Sequence, residues 1–246
     1  MHELLLRRRA HYHDAPLKLL HYTLAVTGVL SLFGCTAAPS PTAPTALSTV
    51  DARLMPEGFE SAFFREFVQN GFESPNHLEP IRLLRGPFRV YLRTVDETGR
   101  AIDAVTQDVS EQILREAAAI WSGGTAAIIE VARGNGTREG VPGWITVKWS
   151  GVAMSGRCGR STVGIDGGFI ELDASGACSC GMTTRVYPRL IRHELGHAMG
   201  YYHTSDPSDV MYGQSITPDA CDLTPSVRER QHAKFAHDRP PSLLPF

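Results

Sequence analysis

The segment His193-Glu194-Leu195-Gly196-His197-Ala198-Met199-Gly200-Tyr201-Tyr202-His203 constrains this chain more than any other feature. On a helix, residues four apart lie one turn apart on one face, so His193 and His197 present two imidazoles to one point. Glu194, next to the first of them, carries a carboxylate to the same space. Gly200 stands where such a helix must end, because without a Cβ it can take a left-handed conformation and turn the chain sharply. The turn brings His203 back as a third nitrogen. Three protein ligands leave one position open for water, the pattern of a catalytic zinc site, whereas a structural site closes with four. Helix-surface histidines with no shared ligand are the competing reading, and the five fixed positions of HExxHxxGxxH argue against it.

The rest of the chain supplies enough material for one core. Of its 246 residues 42% are hydrophobic and 20% charged, a globular composition with room for a single domain and appendages. A formal net charge of -2 gives no long-range field for nucleic acid or anionic lipid, so nucleic acid is set aside as a partner and a monomer is expected. Phe59, Phe63, Phe64 and Phe67 recur at helical spacing and predict a short amphipathic helix ending near Asn70-Gly71, its aromatic stripe turned to packing. Phe88 to Val95 alternates and reads as a strand. Gln107 to Trp121 reads as a helix closed by Gly123-Gly124. Ala126 to Val131, Trp144 to Trp149 and Gly168 to Asp173 read as further strands, Arg185 to Met199 as the helix of the histidine motif, and Pro225 to His237 as a final helix. This order predicts an α+β domain, or an α/β one, with a single core.

The N-terminal portion reads as an export and anchoring device. Arg7, Arg8, Arg9 and Lys18 precede an apolar run from about Leu19 to Phe33, which ends in Leu32-Phe33-Gly34-Cys35. That ending resembles the bacterial lipobox, in which the cysteine is acylated and becomes the new N-terminus. A transmembrane anchor or a plain signal peptide is the alternative. Residues 1–35 are therefore expected to be a lipoprotein signal peptide with Cys35 as the lipidation site. Residues 36–54, rich in Pro, Ser, Thr and Ala, are expected to form a tether, residues 55–87 an N-terminal helical extension, and residues 88–246 the catalytic domain. The implied location is the bacterial cell envelope, with the domain facing the periplasm or exterior and held to the membrane by lipid. Four cysteines remain, Cys158, Cys178, Cys180 and Cys221, and an even number in an exported chain predicts two disulfides. Cys178 and Cys180 are too close to pair comfortably, so each is expected to reach one of Cys158 and Cys221, in either combination.

The histidine segment resembles the zinc-binding signature of the metzincin metallopeptidases. Asp209-Val210-Met211-Tyr212-Gly213 resembles their Met-turn, in which a methionine, here Met211, forms a hydrophobic floor beneath the ligands. The spacing from His203 to Met211 and the closing helix after Leu223-Thr224-Pro225 are closest to the matrixin branch. The resemblance is sharp from about Arg192 to Tyr212, loose from about Phe88 to His237, and does not reach the N-terminal 85 residues. It implies a zincin-type fold: a mixed sheet, an active-site helix, a Met-turn and a C-terminal helix. It also implies one catalytic Zn2+ on His193, His197 and His203, with His203 preferred to Asp206 as third ligand. Matrixins are commonly kept latent by a propeptide cysteine, but no cysteine lies between Cys35 and Cys158, so that device is not expected here.

The activity implied is a zinc-dependent endopeptidase acting on extracytoplasmic proteins or peptides, with Glu194 taking a proton from the attacking water and passing it to the leaving amine. In the family the substrate lies along an edge strand just upstream of the active-site helix, a role expected for Gly168, Phe169, Ile170 and Glu171. Asp166 and Asp173 are a candidate calcium pair, set against the ordinary reading of solvated acids in a Gly-rich loop. Two other functions compete: a zinc amidase acting on cell-wall peptides, and a non-catalytic lipoprotein that binds a partner through the same fold. Intact Glu194 and all three histidines argue against the second.

Overall fold

The computed structural model describes residues 57–124, 128–182, 184–214 and 218–239. The expected signal peptide, Cys35 and the 36–54 tether lie outside the described residues. Among the described residues no helix is long and apolar enough to cross a membrane.

Four α-helices and five strands follow in the order α1 (Ser61–Gln69), β1 (Phe88–Arg93), α2 (Ala104–Trp121), β2 (Ile128–Gly134), β3 (Trp144–Ser150), β4 (Gly159–Ser161), β5 (Phe169–Asp173), α3 (Pro188–Met199) and α4 (Val227–Asp238). A single sheet runs β2-β1-β3-β5-β4. The pairs β1–β2, β1–β3 and β3–β5 are parallel, and β4 alone is antiparallel, closing one edge against β5. The architecture is thus mixed α/β with a mostly parallel sheet.

The ends of the helices differ from expectation for local chemical reasons. The helix α2 begins three residues earlier than its apolar pattern suggests, because the Asp103 carboxylate accepts the Thr106 N–H at 2.8 Å and caps it. By contrast α3 begins three residues later than expected, at Pro188. Proline lacks the N–H that a first turn leaves unused, and it holds Tyr187 extended. Helix α4 starts after Ser226, whose hydroxyl accepts from Glu229 N while the Glu229 carboxylate accepts from Ser226 N, a full capping box.

One correction bears on function. Gly168, Phe169, Ile170 and Glu171 do not form an edge, since Phe169–Asp173 is paired with β3 on one side and β4 on the other. The edge is β4, three residues long and too short and polar to carry a recognisable alternation. The segment ahead of β1 shares the single core that the sequence predicts. Phe63, Phe64 and Phe67 of α1 are fully or almost fully buried in the cluster that contains β1, β3 and α3, with Phe67 stacked on Tyr201 at 4.3 Å. The segment 57–87 is an integral layer of the domain, as the aromatic stripe requires.

Behind the motif helix, the Trp121 indole donates to Arg192 O at 2.9 Å and the Tyr201 hydroxyl donates to Trp121 O at 2.6 Å. Both groups are buried, so these bonds satisfy polar atoms that would otherwise cost stability and fix α2 against α3.

Two disulfides form, Cys158–Cys178 and Cys180–Cys221, each drawing on one of the two closely spaced cysteines as expected. The second spans 41 residues and anchors the loop ahead of α3 to the segment ahead of α4. Restricting the unfolded chain over such a loop is worth about 4 kcal/mol on the chain-entropy model. We expect Cys180→Ser/Cys221→Ser to lower the unfolding free energy by about that amount in denaturant titration, with a steeper slope because the released unfolded chain exposes more surface.

Candidate metal centre

Helix α3 ends as its glycine predicts. Gly200 has φ 107°, in the left-handed region, and its N–H caps the carbonyls of Gly196 and His197. A Cβ at this position would lie 2.2 Å from Arg82 O, so glycine is required both by the turn and by the strand of chain passing over it.

The turn brings the three histidines together. Their Nε2 atoms are separated by 3.1 Å (His193–His197), 3.0 Å (His197–His203) and 3.3 Å (His193–His203). Three nitrogens bound tetrahedrally at the usual zinc distances lie roughly 3.3 Å apart, so the spacing is that of a ligand set, slightly contracted. Each opposite ring nitrogen is occupied: His193 Nδ1 is 2.8 Å from Val210 O, His197 Nδ1 is 2.7 Å from Tyr201 O, and His203 Nδ1 is 2.6 Å from Glu73 Oε1. Carbonyl and carboxylate oxygens only accept, so each Nδ1 carries the proton and each Nε2 presents a lone pair. Three lone pairs converging on one point repel one another, and a cation resolves that repulsion. Burial, reinforced by the neighbouring imidazoles, lowers His193 well below its ordinary value. His197 is lowered to about 3 by burial first and His203 second. Both rings therefore stay neutral, as ligands must be. Among the described residues these three form the group of metal-ligating side chains close enough to share an ion.

Glu194 lies beside them, 4% exposed. Burial raises its carboxyl to about 8, and Oε2 has no hydrogen-bond partner. It is covered by the edge strand, since a Cβ on Gly159 would lie 2.6 Å from Glu194 Oε1. The carboxylate is thus an unusually strong base in a confined space. A cleft of about 1030 Å³ runs over this floor, bordered by Gly159 and Ser161 of β4, Tyr187, Tyr212 and Glu73.

Below the histidines, Met211 is fully buried, and a Cβ on Gly196 would meet its Sδ at 2.4 Å. The only residue that fits between His193 and His197 over this methionine is glycine. The turn that carries Met211 is held from α4. The buried Glu229 accepts the N–H of Met211 at 2.9 Å and that of Val210 at 3.1 Å, while Val210 O holds His193. Arg189, from the first turn of α3, donates to Asp209 O at 2.8 Å. Gly213 follows, with a hypothetical Cβ only 2.5 Å from His203 Cγ. A side chain there would push the third imidazole out of place.

Two candidate roles are not assembled. Asp206 is engaged by Ser208 and Arg228, away from the three histidines. The calcium pair does not form either. Asp166 accepts Gly143 N, whereas Asp173, at the far end of β5, spends Oδ1 on Ser175 and Oδ2 on Met154 N. These acids cap turns.

Burial and then the nearby Asp209 charge push Glu229 up to about 7, against the pull of three backbone N–H groups. A carboxyl raised from 4.5 binds more protons folded than unfolded. Its contribution is therefore full below about pH 4.5 and is lost as pH rises through about 7. We expect the stability of the wild type relative to Glu229→Gln to fall by on the order of 3 kcal/mol across that window, as read by urea unfolding at stepped pH.

No protein-family model matches the chain. It is 35% identical over 86 residues to the embryonic protein UVS.2 of Xenopus laevis, a match covering 32% of this chain and 15% of that protein. The chain therefore spans only a small part of that relative's length. A solved chaperone–substrate complex aligns with a TM-score of 0.39 and 12% identity, over 63% of this chain and 34% of that one. A likeness at that level carries no argument.

Proposed function

We propose that this chain is a zinc-dependent endopeptidase of metzincin type, closest to the matrixins, exported and held at the bacterial envelope through a lipidated Cys35. The observation that carries the reading is the convergence of three imidazole Nε2 atoms at 3.0–3.3 Å, with a buried carboxylate, unpartnered at Oε2, beside them at the floor of an open cleft. His193, His197 and His203 would hold the ion. Bound there, zinc supplies a Lewis acid that acidifies water and polarises the substrate carbonyl.

The remaining chemistry belongs to the protein. Glu194 accepts the proton of the attacking water and delivers it to the departing amine. Its carboxylate, beside the three ligands and unpartnered at Oε2, is placed to hold the proton between those steps. Confinement by Gly159 keeps the carboxylate aimed at the cleft. The edge strand β4 orients the substrate. Cys158 O and Thr162 N are used on β5, so the alternate residues Gly159 and Ser161 turn their backbone groups outward, where an extended peptide adds as a further strand. The two disulfides suit an oxidising compartment outside the cytoplasm.

The reading is tested by offering the purified protein an unfolded protein and a cell-wall stem peptide in parallel and identifying new termini by mass spectrometry. Internal cleavage of the unfolded chain is expected. Hydrolysis confined to the cell-wall peptide would instead identify an amidase, and cleavage of neither would favour a partner-binding protein.

A further inference from the structure

The third histidine differs from the other two in how it is held. His193 and His197 sit on a helix and give their Nδ1 protons to backbone carbonyls. His203 sits on a loop, and its Nδ1 proton goes to a carboxylate, Glu73 Oε1, 130 residues away at 2.6 Å. Glu73 belongs to the segment that follows α1, outside the histidine motif and outside the stretch that carries the family resemblance.

The same segment grips the His203 loop residue by residue. Arg82 O lies against Gly200, and Phe67 stacks on Tyr201. Phe67 O accepts Tyr202 N at 2.8 Å, and the Glu66 carboxylate accepts Ser205 N at 2.9 Å. On its other face the His203 ring rests on Gly213. The ring is therefore clamped between the Met-turn and the N-terminal segment, with Glu73 setting its rotation.

We propose that Glu73 is a positioning residue of the metal centre, and that residues 57–84 complete the site by orienting and electronically enriching its third ligand. The proposal rests on the zinc reading above. A carboxylate accepting from Nδ1 fixes the tautomer that leaves Nε2 free, lowers the freedom of the ring, and raises the donor strength of Nε2 toward a cation. Removing such a partner typically weakens metal binding by roughly 10- to 100-fold.

The test uses the full chain, with Glu73→Gln and Glu73→Ala beside the wild type. Zinc affinity is measured by competition with a chromophoric chelator, and the melting temperature is measured on the metal-free proteins. Gln keeps an acceptor without the charge, so the dissociation constant is expected to rise modestly in Glu73→Gln and by roughly 10- to 100-fold in Glu73→Ala, with the metal-free melting temperatures unchanged. A merely structural role for Glu73 would move the metal-free melting temperature instead. Wild type and both variants binding zinc with equal affinity would overturn the proposal while leaving the zinc reading intact. A wild type that takes up no zinc would overturn both.

Discussion

Glu194→Gln is expected to retain about one zinc per chain and to lose peptide cleavage by roughly three orders of magnitude, within the range for removing a general acid–base group. Glutamine has the size and shape of glutamate and fits the same space beside Gly159, where an added Cβ would already meet the carboxylate, so the cleft keeps its shape. It loses the carboxylate that takes up the proton. Because Glu194 is not one of the three converging ligands, metal content should not follow activity. Zinc analysis together with steady-state cleavage of a quenched peptide reads both quantities on one preparation. A variant that keeps more than about a tenth of wild-type kcat would remove Glu194 from the proton-transfer role.

His197→Ala is expected to have the larger effect on the metal. His197 is the most buried of the three ligands and its Nε2 is the centre of the cluster, 3.1 Å and 3.0 Å from the other two. Two remaining nitrogens make a poor zinc site, so zinc content should fall well below stoichiometric and cleavage to background. In the wild type, metal that binds only the folded state stabilises it, by about 4 kcal/mol when free zinc exceeds the dissociation constant a thousandfold. Chelation should therefore lower the wild-type melting temperature reversibly, and should leave that of His197→Ala unmoved. Equal chelator sensitivity in the two proteins would mean that the stabilising ion sits elsewhere.

What could be read from sequence was whatever is written in contiguous spacing. The i, i+4 histidines, the glycine that ends their helix and the returning third histidine specify one another through helical geometry, and the structure brings their Nε2 atoms together. The aromatic stripe of α1 and the strands rich in β-branched residues were legible for the same reason. Long-range partners were not. Nothing in Glu73, an exposed acid after a short helix, announces that it meets His203 across 130 residues. Nothing in the three residues of β4 marks them as the edge, and the longer apolar run beside them carries the stronger strand signal. Gly159, Gly196 and Gly213 are required by close approach to Glu194, Met211 and His203, and such demands exist only once the chain is folded. Glu229 is an intermediate case. Its spacing from Ser226 is a capping box that the sequence carries openly, but its grip on the Met211 turn is tertiary.

We propose above that the converging histidines hold one zinc ion with which this protein cleaves peptide bonds. That proposal is tested most directly by measuring zinc per chain and cleavage of an unfolded protein on the same sample before chelation, after chelation, and after adding back one equivalent of zinc. About one zinc and cleavage are expected at the start, neither after chelation, and both again on addition. Folded protein that binds no zinc, or cleavage that persists undiminished once the metal is gone, would contradict it.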